Sequence, residues 1–221
     1  MTVSVIIVAA GSSVRMGFDK LAAPLGGIPV LQRSLNVFLS NPVVAEIIVV
    51  CPPERWELLE TTHPTLPIRR VDGGADRQRS VANGLAVVSP SATHVAVHDG
   101  ARPLLHPADL DHCLQAAAAD GAAALAHRVT DTLKRSDEAG LCTASVCRDN
   151  LWRMETPQIF ETALLREAYA AVAARDLTVT DEVSAIQEIA RPVRLVESVH
   201  PNPKITRPAD IILATAILTH P

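Results

Sequence analysis

The sequence predicts an α/β fold: a mostly parallel sheet with helices on both faces, carrying a β-hairpin arm inserted at about residues 130–150. Three observations support this. Seven of the eight residues from Val3 to Ala10 are apolar and most are β-branched, the pattern of a strand buried on both faces. Strand-like apolar runs alternate with helical periods through the first half of the chain, as in successive βαβ units. Hydrophobic residues make up 48% of the 221 positions, which excludes a disordered chain and fits one domain over 1–221 with a full core.

The first strand opens into Gly11-Ser12-Ser13. Pro29–Leu39 then reads as a helix with proline at its start, and Glu46–Cys51 as a second buried strand closed by Pro52-Pro53. A helix through Trp56, Leu58 and Leu59 follows, and Ile68–Val71 is a short third strand. Asp72–Leu85 begins with a Gly-Gly turn that feeds a helix. His94–His98 is a fourth strand, and Ala108–Ala119 a helix ended by Gly121. Beyond Ala122 the period changes. Ala122–Val129 and Leu141–Val146 read as strands, with a turn at Ser136–Gly140 between polar segments. A hairpin with one apolar face is marginal alone in water, so this arm is expected to pack on a second subunit. Thr162–Arg175 is a helix, Thr180 caps another, Pro192–Val199 is a late strand, and Pro208–Leu218 is the last helix.

Composition narrows the function. A net charge of −4 with scattered Lys and Arg argues against a broad nucleic-acid footprint, and 3% aromatics against a base-stacking platform. Cys51, Cys113, Cys142 and Cys147 form no C-x-x-C, so neither zinc nor a disulfide framework is expected and a reducing cytoplasm fits. The N-terminal apolar run is too short for a membrane span and lacks a basic flank.

The chemistry is expected where the first strand ends. Small residues let backbone N–H groups approach an anion, and Arg15 and Lys20 stand ready to neutralise it. Neither the Walker-type G-x-x-x-x-G-K-[ST] nor G-x-G-x-x-G is present. The Gly-Gly turn at 73–74 suits a nucleotide, or is simply a βα turn. Asp99 ends the fourth strand, on the rim where open parallel sheets bind ligands. A carboxylate there holds Mg²⁺ together with substrate phosphates, or caps a turn with Arg102 as its partner. On spacing alone Lys204 is a solvated surface lysine, and Asp181 and Glu182 are acids at a helix N-terminus.

Seven segments in order resemble one family: AAGSSVRMG with the following Lys (9–20), DGGADRQRSVANGL (72–85), VHDGARP (97–103), DTLKR (131–135), LWRMETPQIF (151–160), TDEVSA (180–185) and NPKITRPAD (202–210). The family is the methylerythritol phosphate cytidylyltransferases of non-mevalonate isoprenoid synthesis, with a Rossmann-like nucleotidyltransferase sheet. The resemblance implies CMP transfer from CTP to a polyol phosphate. It implies that Ala9, Ala10 and Gly11 hold the nucleotide, that Arg15 and Lys20 are catalytic, and that Gly74 and Ser80 serve the cytosine and ribose end. Asp99 would hold Mg²⁺ or another divalent cation and lie close to the acceptor. Arg102, Thr132, Arg148, Thr156, Thr180 and Lys204 would surround methylerythritol phosphate, with Thr132 and Arg148 reaching the neighbour's site in a homodimer. Ser13, Leu21 and Gly100 depart from the pattern, where Gly, Gln and Ala are usual. The rivals are a ribitol phosphate cytidylyltransferase, a guanylyl- or uridylyltransferase, and a non-catalytic nucleotide-binding protein.

Overall fold

The computed structural model describes residues 1–11 and 17–219. Ser13 and Arg15 lie outside the described residues. In chain order the elements are β1 (Val3–Val8), β2 (Pro24–Leu25), β3 (Ile28–Pro29), α1 (Val30–Leu39), β4 (Val44–Val50), α2 (Pro53–Trp56), β5 (Ile68–Val71), α3 (Arg77–Ala86), β6 (His94–Asp99), α4 (Pro107–Asp120), β7 (Ala122–Arg128), β8 (Leu133–Ser136), β9 (Cys142–Val146), β10 (Trp152–Glu161), α5 (Thr162–Ala174), α6 (Glu182–Gln187), β11 (Arg194–Glu197) and α7 (Pro208–Thr219).

Among the described residues, seven strands form one sheet in the order β11-β7-β10-β6-β1-β4-β5. Among them β10 alone is antiparallel to its neighbours. The Rossmann-like, mostly parallel architecture therefore stands. Strand β1 alternates between two cores, as a period of two demands. Val3, Val5 and Ile7 pack with Leu31, Leu35 and Phe38 of α1 and Leu110 and Leu114 of α4. Ile6 packs on the opposite face with Val81 and Leu85 of α3, Leu165 of α5 and Ile186 of α6.

Chain order changes direction at β1, which pairs with β4 on one side and β6 on the other. That switch point opens a crevice beyond the strand ends. Val8 is in register with Asp99, so the loop after β1 and the end of β6 emerge side by side.

Several elements differ from the sequence reading. The helix expected through Leu58 and Leu59 ends at Trp56. Ala122–Arg128 belongs to the central sheet, and the hairpin is β8 with β9, which form their own two-stranded sheet. Strand β10 was not anticipated, because Pro157 argues against a central strand and Arg153, Glu155 and Gln158 break the apolar run. Its pairing with β7 is interrupted between Met154 and Gln158, where the proline sits. Helix α6 is capped by Asp181, whose side chain accepts from the Ser184 N–H, and not by Thr180. No described helix is long and apolar enough to cross a membrane.

Candidate active site

The loop after β1 is held from below. Arg55, buried in α2 at the end of β4, donates to the carbonyls of Ala9 and Gly11 and pairs with Asp19 at 2.7 Å. This ties Ala9 and Gly11 to Asp19 through one guanidinium, while Ala9, Ala10 and Gly11 line a cavity of about 480 Å³. Gly74, Ser80 and Lys20 line the same cavity. The Gly74 N–H donates to Ser80 Oγ at 3.0 Å, and Ser80 Oγ donates to the Asp76 carbonyl at 2.8 Å. Ser80 thus supports the turn before α3. A Cβ at Gly73 would sit 2.2 Å from Ala10 Cβ, so a glycine is what lets the two loops close on each other. At Gly100 an added Cβ would meet Leu31 Cδ1 at 2.8 Å, the Val8 carbonyl oxygen at 3.2 Å and Ala9 Cβ at 3.3 Å, so glycine fits this packing and an alanine would need its neighbours to shift.

A second cavity, of about 280 Å³, is lined by Arg102, Thr156 and Thr180. Arg77, Asp99 and Lys204 line both cavities and form the wall between them. Lys204 Nζ donates to Asp99 Oδ2 at 2.7 Å, Arg77 Nε to Asp99 Oδ1 at 3.3 Å, and Arg102 Nε lies 3.9 Å from Oδ2. Burial would raise the Asp99 pKa, but Arg77, Lys204 and Arg102 outweigh it and hold the carboxyl well below the usual range. Asp99 is therefore an anion at any physiological pH. Lys20 Nζ donates to the Ile205 carbonyl at 2.8 Å, and the Ile205 N–H donates to the Ala101 carbonyl. These bonds bring the loop with Lys204 to the end of β6.

The residues present fit a divalent cation in one specific way. Among the described residues no cluster of three His, Cys, Asp or Glu forms a protein cage. A carboxylate has about four lone-pair directions, and at Asp99 hydrogen bonds from Lys204 and Arg77 use two. The rest suit an ion such as Mg²⁺, which takes one or two carboxylates and completes its shell with phosphate and water.

Behind Asp99 lies a buried polar chain. The Asp99 N–H donates to Thr156 Oγ1 at 3.0 Å, and Thr156 Oγ1 lies 3.0 Å from His98 Nδ1. His98 Nε2 lies 3.1 Å from the Arg102 carbonyl, which can only accept. The proton is thus on Nε2, and Nδ1 accepts from the Thr156 hydroxyl. Burial lowers the His98 pKa to about 4, so the ring is neutral and engaged at both nitrogens. The consequence is measurable. An unfolded imidazole titrates near ~6.5, so as pH falls from there toward 4 the unfolded chain binds the proton first. Stability should drop across that window by about 3 kcal/mol in protein free of nucleotide and divalent cation. Urea unfolding at pH 7, 6 and 5 should read roughly 2 kcal/mol of this, and His98→Gln should flatten most of the slope.

The other expected contacts divide in two. Arg102 donates to the Asn202 carbonyl at 2.7 Å and the Met154 carbonyl at 3.2 Å, while its Nε has no hydrogen bond. Thr180 borders the second cavity, with Oγ1 3.4 Å from Ser184 Oγ. Thr132 and Arg148 are exposed at the base of the β8–β9 hairpin, where Arg148 donates to the Thr130 carbonyl, and neither lines the cavities around Asp99. Sequence reasoning missed Arg55, and it read Glu182 only as an acid near a helix end. Glu182 is in fact fully buried and bound to Arg77. The signal for Arg55 was weak: one arginine two residues after Pro52-Pro53, beyond the end of a strand.

The sequence matches, over residues 3–220, the family model described as 2-C-methyl-D-erythritol 4-phosphate cytidylyltransferase (IspD). It is 37% identical to the protein of that name from Pelotomaculum thermopropionicum, over 98% of this chain and 94% of that one. The structure resembles the crystal structure of 4-diphosphocytidyl-2C-methyl-D-erythritol synthase from Anaerococcus prevotii, with a TM-score of 0.86, 30% identity, and 99% and 96% of the two chains covered. It also resembles that of the 2-C-methyl-D-erythritol 4-phosphate cytidylyltransferase from Thermus thermophilus, with a TM-score of 0.82, 36% identity, and 99% and 100% covered. A match over nearly the whole length, on a sheet that places the expected loops around one crevice, settles the family: the chain belongs to the 2-C-methyl-D-erythritol 4-phosphate cytidylyltransferases.

Proposed function

We propose that this protein transfers CMP from CTP to 2-C-methyl-D-erythritol 4-phosphate, giving 4-diphosphocytidyl-2-C-methyl-D-erythritol and pyrophosphate. One observation supports this above the rest: two cavities meet at a wall of Asp99, Arg77 and Lys204. The larger, rimmed by Gly11 and Gly74, suits the nucleotide. The smaller, beside Arg102 and Thr156, suits the acceptor.

A phosphate monoester has its second pKa near ~6 and is largely dianionic at pH 7. One of its oxygens attacks the α-phosphorus of CTP. The bond to the oxygen bridging the α- and β-phosphorus breaks, and pyrophosphate leaves with the electron pair. No general base is needed, and His98 is not placed to be one. The obstacle is repulsion between two polyanions, which fixed cations offset. Lys20 lines the cavity proposed for the triphosphate, the family resemblance gives Arg15 the same task, and Lys204 can turn from Asp99 to the acceptor phosphate. Asp99 and the nucleotide phosphates would hold Mg²⁺, which when bound neutralises phosphate charge.

The test is pyrophosphate release from purified protein with Mg²⁺, each of four NTPs, and either methylerythritol phosphate or ribitol phosphate. Release only with CTP and methylerythritol phosphate is expected. Release with ribitol phosphate instead would change the acceptor, and none from folded protein would overturn the reaction.

The proposal extends to a single domain over 1–221 that works as a homodimer. Thr132 and Arg148 sit on the β8–β9 hairpin, and a neighbouring subunit's acceptor cavity gives them a use. Mixing Arg148→Ala with Lys20→Ala subunits should then restore activity, since one site of each mixed dimer regains both residues. No recovery in verified mixed dimers would overturn the exchange. The described cysteines are all unpaired, which supports a reducing cytoplasm as the compartment.

A further inference from the structure

Asp99 is gripped by two cations of different character. Lys204 is a flexible point charge, 40% exposed at its side chain. Arg77 is a planar fork whose other two nitrogens are committed elsewhere: NH1 donates to Glu182 Oε1 at 2.8 Å and NH2 to Glu182 Oε2 at 2.9 Å. Such paired bonds fix the guanidinium plane. Glu182 is itself pinned. Its side chain is fully buried, and Tyr169 Oη donates to Oε1 at 3.0 Å. Its N–H and that of Val183 both donate to Gln158 Oε1 at 3.1 Å. Gln158 lies in β10, which pairs with the Asp99-bearing β6. The frame that holds the guanidinium is thus built on the same sheet as Asp99.

We propose that Tyr169 and Glu182, acting through Arg77, are positioning residues that hold the Asp99 carboxylate oriented between the two cavities while Lys204 transfers to a bound phosphate. This inference rests on the cytidylyltransferase reading. A flexible cation can leave Asp99 for a substrate anion; a fork locked by a buried carboxylate cannot. Stability alone does not call for a buried Arg–Glu pair, since apolar packing serves as well. The placement of Arg77 on the wall of both cavities is what gives this pair a use.

The experiment is a double-variant cycle of Arg77→Lys and Asp99→Asn, with steady-state kinetics for CTP and methylerythritol phosphate. Arg77→Lys keeps the charge and removes the fork. It should lower kcat about tenfold, with the KM values for both substrates within about twofold. In the Asp99→Asn background the same change should cost less than about twofold, because its effect passes through Asp99. Full multiplication of the two defects, or an Arg77→Lys enzyme with unchanged kcat, would overturn the proposal. Glu182→Gln should reproduce the Arg77→Lys pattern. Tyr169→Phe, which removes the hydroxyl that donates to Glu182 Oε1, should lower kcat in the same way by about threefold, and if Glu182→Gln fails to fold, an unchanged kcat in Tyr169→Phe would overturn the role of that pair. Inactive wild-type protein would instead defeat the assignment of the reaction, so the two failures are distinguishable.

Discussion

Lys20→Ala should lower kcat about a hundredfold while leaving the CTP KM within a few-fold, a loss of roughly 3 kcal/mol of transition-state stabilisation. Lys20 lines the larger cavity beside Gly11, where the triphosphate would lie. Its charge is worth most when negative charge builds on the departing pyrophosphate, so the defect belongs in turnover and not in ground-state binding. Lys20 Nζ also donates to the Ile205 carbonyl. The variant could therefore act indirectly, by loosening the loop that carries Lys204. An acceptor KM that rises as much as kcat falls would indicate that route. Lys20→Arg separates charge from shape: the cation is kept, but a planar fork replaces a compact point charge. It should recover only part of the rate. Near-normal turnover in a folded Lys20→Ala enzyme would remove Lys20 from the chemistry.

How much of this was legible in the sequence depends on which force writes the pattern. The strands β1, β4 and β6 were readable because burial on both faces demands continuous apolar runs. Asp99 was readable because the end of such a strand is a defined place in an open sheet. Strand β10 was hidden because its middle, Glu155–Pro157, leaves the ladder with β7 and turns polar atoms toward the site. The hairpin was found, but its first strand was misplaced: Ala122–Arg128 is far more apolar than Leu133–Ser136, and apolarity follows burial in the central sheet, not membership of the arm. The Arg77–Glu182 pair was invisible for a different reason. Its members lie 105 residues apart; Glu182 has an adequate local explanation as an acid in the first turn of its helix, and nothing local singles out Arg77. Only the tertiary fold brings the two helix starts together over Asp99. Thr156 was singled out for the acceptor, and the fold places it against the second cavity. Its hydroxyl, however, is engaged with His98 and the Asp99 N–H, a bond pattern that no local sequence signal encodes.

Asp99→Asn should produce the other large effect, a fall in kcat of about a hundredfold or more, with a kinetic signature opposite to lost binding. Asp99 lies within ion-pair distance of Lys204, Arg77 and Arg102. Substituting a neutral amide makes the wall between the cavities more positive. Two anionic substrates should then bind as well as before or more tightly, so both KM values should hold or fall while kcat collapses. What is lost is arrangement: Lys204 is no longer held at the boundary, and the carboxylate lone pairs suited to a divalent cation are gone. The Mg²⁺ concentration for half-maximal rate should rise accordingly. A variant with normal kcat and a raised acceptor KM would instead make Asp99 a simple acceptor contact. The magnesium titration separates the remaining cases. A lower kcat with an unshifted Mg²⁺ requirement would leave Asp99 the task of arranging cations and take away that of holding a metal. A shifted requirement that is partly met by Mn²⁺, which follows Mg²⁺ in its preference for oxygen ligands, would assign it both.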